Sequence, residues 1–190
     1  MSLFEMYLRL GINHIINVHA YDHIVFILVL CAGYSINETK KVLILITAFT
    51  IGHSLTLALS TLKIVSIPSD IVEFLIPATI LITAISNILP LRTGNHRLIY
   101  ITALFFGLIH GLGFSNYLKE LLGRESNIFT PLLAFNLGLE LGQIVILTAY
   151  FIVLFASVKL FRAWHGFWKI YVSGAGFGIS LILLIENKFW

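Results

Sequence analysis

The expected span 41 to 62 reads, after Lys41, VLILITAFTIGHSLTLALSTL, a run long enough to cross a bilayer whose one ionisable side chain is His53. About 20 apolar residues span a hydrocarbon core of about 30 Å. Five further segments of that kind can be cut from the chain, at 19 to 36, 70 to 90, 98 to 119, 131 to 157 and 167 to 186. The sequence therefore predicts an all-α polytopic membrane bundle of about six helices in one domain, 1 to 190. A short interfacial helix is expected over 3 to 18, before the first span.

Composition agrees with this reading. Of the 190 residues 58% are hydrophobic and 11% charged, and the mean hydropathy is +0.97, which excludes a water-soluble domain. The net charge of +3 is scattered over short loops. Anionic lipid headgroups are the expected counter-charge and nucleic acid is excluded as a partner. Cys31 is the single cysteine, so neither a disulfide framework nor a thiolate metal site is available, and its expected role is packing. The opening residues MSLFEMYLRL lack the basic start and the small-residue cleavage site of a signal peptide, so the mature chain is expected to begin here.

Punctuation between the spans has physical content. Pro68, Ser69 and Asp70 open the third, where Asp70 and Glu73 suggest a capping box. Thr130 and Pro131 read as an N-cap and first helical residue of the fifth. Trp164, Trp168 and Trp190 flank the sixth at interfacial height. Lys40, Lys41, Arg92, Arg97, Lys159, Arg162 and Lys169 fall on one side, against Arg9, Lys63, Lys119, Arg124 and Lys188 on the other. That excess places both termini on the outer side.

Ionisable residues inside lipid-length segments are expensive and mark functional sites. Asp22, His23, His53, His110 and Glu140 are such residues. At 1.5 Å per residue, His53, His110 and Glu140 each lie roughly 13 Å below one surface, with Asp22 and His23 nearer to it. Each has polar company at helical spacing. Asn136, Glu140 and Gln143 share a face, Thr50 and Ser54 accompany His53, and Thr79, Thr83, Ser86 and Asn87 line the third span. Gly107, Gly111 and Gly113 around His110 offer a surface on which another helix can approach closely. Phe49-x3-His53 and Phe106-x3-His110 also echo each other as a candidate internal repeat.

Imidazole and carboxylate without thiolate suit divalent nickel, cobalt, zinc or iron. The expected ligands are His14, Asp22, His23, His53, His110 and Glu140, with Thr50, Ser54, Asn136 and Gln143 supporting them. The competing explanation is that Glu140 pairs with one histidine and merely pins the bundle. Solvated loop positions are expected for His96 and His165, and a wet position near the interface for His19. A haem between His53 and His110, and serine chemistry from Ser54 or Ser115 outside a GxSxG setting, are minor readings.

Four motifs carry a resemblance. They are His14 followed by Tyr21-Asp22-His23, then Thr47-Ala48-Phe49-Thr50-Ile51-Gly52-His53-Ser54, Phe106-Gly107-Leu108-Ile109-His110-Gly111-Leu112-Gly113-Phe114, and Phe135-Asn136-Leu137-Gly138-Leu139-Glu140-Leu141-Gly142-Gln143. In this order the chain resembles the HupE/UreJ family. The resemblance implies a bacterial inner-membrane protein of hydrogenase or urease accessory systems, regarded as a nickel or cobalt permease, with His14, Asp22 and His23 on the element associated with metal uptake. Seven residues separate His14 from Asp22 where the family pattern has five, and Ile15 stands where it has proline.

Two functions follow as expectations. One is binding and translocation of a divalent transition metal. The other is a zinc-dependent membrane hydrolase with Glu140 or Asp22 as base. A homo-oligomer is compatible with either, and no soluble partner is identifiable.

Overall fold

The computed structural model describes residues 1–89, 96–123, 128–160 and 164–190, without the side chains of Leu160 and His165. Its elements are α1 (Leu3–Ile16), α2 (Asp22–Cys31), a 3-10 turn at Ile36–Glu38, α3 (Thr39–Thr61), α4 (Ser69–Ile88), α5 (His96–Gly113), α6 (Ser115–Leu122), α7 (Phe129–Leu160) and α8 (His165–Glu186). No strand occurs among the described residues. Five helices are long and apolar enough to cross a membrane, and α2 is a shorter apolar helix. The chain is an all-α integral membrane bundle.

The strongest association is α3 with α5, and glycine makes it. A methyl group on Gly52 would meet the Leu104 carbonyl oxygen, one on Gly107 the Phe49 carbonyl oxygen, and one on Gly111 the His53 carbonyl oxygen. Residue numbers rise together along both helices, so α3 and α5 run parallel with their backbones in contact. Lipid supplies no hydrophobic drive between helices, so close van der Waals approach has to hold them together. Thr56 Oγ1 adds a 2.7 Å hydrogen bond to the Leu108 carbonyl across the seam.

The N-terminal region departs from expectation. Residues 3 to 16 are helical, but α1 lies along α7 inside the bundle, with Tyr7, Gly11 and Ile15 buried. Gly138 of α7 faces the backbone of Leu8 and Ile12, and Gly142 faces Ile15, so α1 runs parallel to the start of α7. Asn17 then accepts a hydrogen bond from His19 N at 3.0 Å. Such local turns compete with helix and end α1. The expected span 19 to 36 is helical only over Asp22–Cys31, about 15 Å of rise, half a hydrocarbon core. The carbonyls freed at its end are met from other helices. Asn87 Nδ2 donates to Val29 O at 2.7 Å, and Tyr150, itself accepting from Trp168 Nε1 at 2.9 Å, donates to Cys31 O at 3.5 Å. Cys31 is buried there.

Other boundaries shift for local reasons. The span expected over 98 to 119 breaks after Gly113, where Gly111, Gly113 and Phe114 interrupt good helix formers. α7 starts at Phe129, one residue before the expected Thr130 cap. The capping box expected of Asp70 and Glu73 does not form. Pro68 is the N-cap of α4 and has no capping side chain, while Asp70 Oδ1 accepts from its neighbour Ile71 N at 2.9 Å. A capping box does form at Ser35 and Glu38. Of the basic residues used for orientation, Arg92, Arg124 and Arg162 lie outside the described residues.

Candidate metal centre

α1, α2, α3 and α5 each contribute one histidine to a single locus: His14, His23, His53 and His110. Ring centroids stand 4.7 Å apart for His14 and His23, 5.8 Å for His23 and His53, 6.0 Å for His14 and His53, and 5.0 Å for His23 and His110. One ring nitrogen from each of His14, His23 and His53 lies within 4.8 Å of the others. His53 and His110 are wholly buried and His23 almost so.

Each imidazole can be followed to a free nitrogen. His23 Nδ1 lies 3.3 Å from Asp22 Oδ1. With the proton on Nδ1 shared with the carboxylate, Nε2 keeps a lone pair, the arrangement that orients a ligating histidine. His110 Nε2 lies 2.9 Å from Thr79 Oγ1, whose hydroxyl is also 2.7 Å from the Ile76 carbonyl. The hydroxyl has one proton. Given to Ile76, it leaves Thr79 to accept from His110 Nε2, and His110 Nδ1 keeps the lone pair. His14 Nε2, His23 Nε2, both nitrogens of His53 and His110 Nδ1 are buried without a hydrogen-bond partner.

Those orphaned nitrogens are the test of what the locus can hold. An unpartnered buried polar atom costs about 1–3 kcal/mol, and unpartnered nitrogens on four histidines of one locus are a poor way to pin a bundle. Neutral imidazole lone pairs are what a borderline divalent cation takes. Metal–nitrogen bonds of about 2.0–2.1 Å set tetrahedral ligands about 3.3 Å apart. The 4.8 Å limit among the three nitrogens therefore calls for modest side-chain closure, and the residues fit such an ion.

The walls are aromatic. Phe114 lies 4.1 Å from His14 with its ring tilted by 46°, and Phe26 and Phe49 lie 4.8 Å and 5.1 Å from His110. At one side Asp22 opens onto a cavity of about 400 Å³ shared with His19, Glu73, Pro77 and Asn187. Beyond Phe106, a second cavity of about 150 Å³ lies between α2, α4 and α5, lined by Thr83, Ser86, Asn87 and Thr102. The polar stripe of α4 thus runs from His110 into this cavity.

Glu140 is placed elsewhere. It lines a cleft between α3 and α7 with Thr50, Ser54 and Asn136, and it is not among the groups within ligating distance of one another. Gln143 borders this region, its Oε1 accepting from Thr50 Oγ1 at 2.8 Å. Thr50, Ser54 and Asn136 thus line this cleft with Glu140. No pairing of Glu140 with a histidine is found among the described residues. The backbone contact of α3 with α5 leaves no gap between them for a haem. His19 and His96 are exposed, and the His165 side chain lies outside the described residues. Two features escape a linear reading, the Thr79 bond to His110 and the Phe26, Phe49 and Phe106 cluster. Thr79 is recognisable as part of a stripe, but its target lies on another helix.

The sequence profile of the family described as HupE / UreJ protein matches residues 1–186. The chain belongs to the HupE / UreJ family. Comparisons with curated proteins and with solved structures give no match. HupE / UreJ proteins are membrane proteins of nickel or cobalt transport type, and the apolar helices and imidazole cluster of this member fit that class.

Proposed function

We propose that this protein binds a divalent transition metal ion of the nickel or cobalt type as cargo and carries it across a bacterial inner membrane. The observation that carries the reading is the convergence of buried, unpartnered imidazole nitrogens from separate helices. His14, His23 and His53 hold the ion. His110 lies beside them, steadied by Thr79, and Asp22 orients His23 while facing the entrance.

The entrance cavity carries two carboxylates, Asp22 and Glu73, which raise the local concentration of cations. The ion sheds water for nitrogen as it passes Asp22. Its way out follows the hydroxyls of Thr79 and Thr83 to Ser86, Asn87 and Thr102. Phe26, Phe49 and Phe106 stand between the imidazoles and that second cavity, so passage requires these rings to move, as alternating access demands. The entrance faces outward in this reading, with both termini on the outer side. Hydrolysis by the same centre would need a free carboxylate base aimed at the imidazoles. Asp22 is engaged with His23, and Glu140 lines another cleft, so carriage is the better fit.

The test is uptake of nickel or cobalt into proteoliposomes. Wild-type protein gives saturable uptake, and His23→Ala and His53→Ala lower it at least tenfold while their circular dichroism is unchanged. Uptake no faster than in empty liposomes would remove the transport reading. Equal uptake by the variants would remove the imidazoles from it.

A further inference from the structure

The cleft between α3 and α7 is a second polar locus within the membrane-spanning segments, distinct from the histidines in donors and in outlook. Its lining is Thr50, Ile51, Ser54 and Leu55 from α3, and Leu133, Asn136, Leu137 and Glu140 from α7. It holds about 410 Å³. Glu140 lies about 17 Å along α7 from its start. Around it the bundle presents Ile51, Leu55, Leu133, Leu137, Leu141 and Ile144 outward, more than two-fifths exposed, so lipid-facing surface frames the cleft.

Donor chemistry here is all oxygen: one carboxylate, two hydroxyls and an amide. Asn136 Oδ1, an acceptor, is buried with no hydrogen-bond partner. Glu140 has no ion pair among the described residues. No other titratable group lines the cleft. α1, packed on a neighbouring face of α7, carries Glu5 and Arg9 paired with each other at 2.8 Å, and its His14 ring packs against Phe114 and the cluster imidazoles.

Charge decides which cation suits the place. An ionised carboxylate beside hydrocarbon costs several kcal/mol unless neutralised. One monovalent cation leaves the cleft neutral, whereas a divalent ion leaves an uncompensated positive charge. Oxygen donors also favour hard ions over the borderline metals that imidazole selects. We infer that Glu140, with Asn136, Ser54 and Thr50, forms a second cation site for a small monovalent ion, a proton or sodium, separate from the imidazole site. The inference stands on this cleft alone and does not require the imidazoles to bind metal.

Dicyclohexylcarbodiimide tests it on the full chain in nanodiscs. The reagent partitions into lipid and adds to a protonated carboxyl, the carboxyl oxygen bonding to the central carbon and the proton passing to nitrogen. The expected result is one adduct, mapped to Glu140 by mass spectrometry, absent in Glu140→Gln and forming more slowly as pH rises. Protection by sodium chloride but not choline chloride identifies a sodium site. A pH-dependent adduct indifferent to sodium identifies a proton site. No adduct at Glu140, or a rate no greater than at half-buried, Arg9-paired Glu5, overturns the inference. Protection by nickel also overturns it, because Glu140 would then belong to the imidazole site.

Discussion

Gly107→Ala inserts one methyl group between α5 and α3. An ideal Cβ there meets the Phe49 carbonyl oxygen and lies 2.9 Å from its carbon and 3.0 Å from His53 N, where ordinary contact begins near 3.4 Å. These neighbours are backbone and cannot rotate aside, so α3 must retreat by at least about half an ångström. Overpacking of this kind costs about 1–3 kcal/mol, offset by roughly 1 kcal/mol from the better helix propensity of alanine. The net loss of stability is about 0–2 kcal/mol. The larger effect falls on the site, which tolerates only about 0.5 Å of displacement. His53 moves with α3, and affinity for nickel or cobalt falls on the order of 10- to 100-fold. Gly178→Ala is the control, because nothing lies within 4 Å of a Cβ at that position. Calorimetric titration with metal and thermal unfolding by circular dichroism, both in the same detergent, measure the pair. Equal affinity and stability for Gly107→Ala and Gly178→Ala would refute the claim that the α3–α5 contact sets the geometry of the centre.

Two further substitutions probe single bonds. Thr79→Val keeps the volume but removes the partner of His110 Nε2, and is expected to destabilise by about 1–3 kcal/mol and to weaken metal binding, read by unfolding and calorimetry. Asn87→Leu removes the donor to the Val29 carbonyl at the end of α2. An interhelical hydrogen bond in a bilayer is worth about 0.6–1.7 kcal/mol, so hydrogen exchange at the C-terminal turn of α2 should quicken by roughly 3- to 18-fold, while that of α7 stays unchanged.

Hydropathy and glycine spacing made most of the bundle legible. Gly107 and Gly111 announce a close helix contact, because only a missing Cβ allows backbones to touch, and they meet α3 as the spacing implies. Less legible were the elements whose limits depend on neighbours. α2 is half a span because Asn87 and Tyr150 satisfy its last carbonyls, a provision invisible from α2 itself. α1 is amphipathic enough to lie at an interface, yet Gly138 and Gly142 on α7 give it a bed inside the bundle.

Depth and direction separate in the same way at the site. Counting residues places His53, His110 and Glu140 at comparable levels, since rise per residue is nearly fixed. Counting cannot say which way a helix is turned about its axis. The face of α7 carrying Asn136, Glu140 and Gln143 turns to Thr50 and Ser54 of α3. His14, at an unusual spacing from Asp22, joins His23 because residues 17 to 21 leave the helix between two short helices.

Whether the imidazoles ligate metal is asked most directly by X-ray absorption at the nickel or cobalt edge of the loaded, full-length protein. Three imidazole nitrogens at about 2.0–2.1 Å are expected, falling to two in His53→Ala. A shell of oxygen alone, or one unchanged by that substitution, would contradict the account.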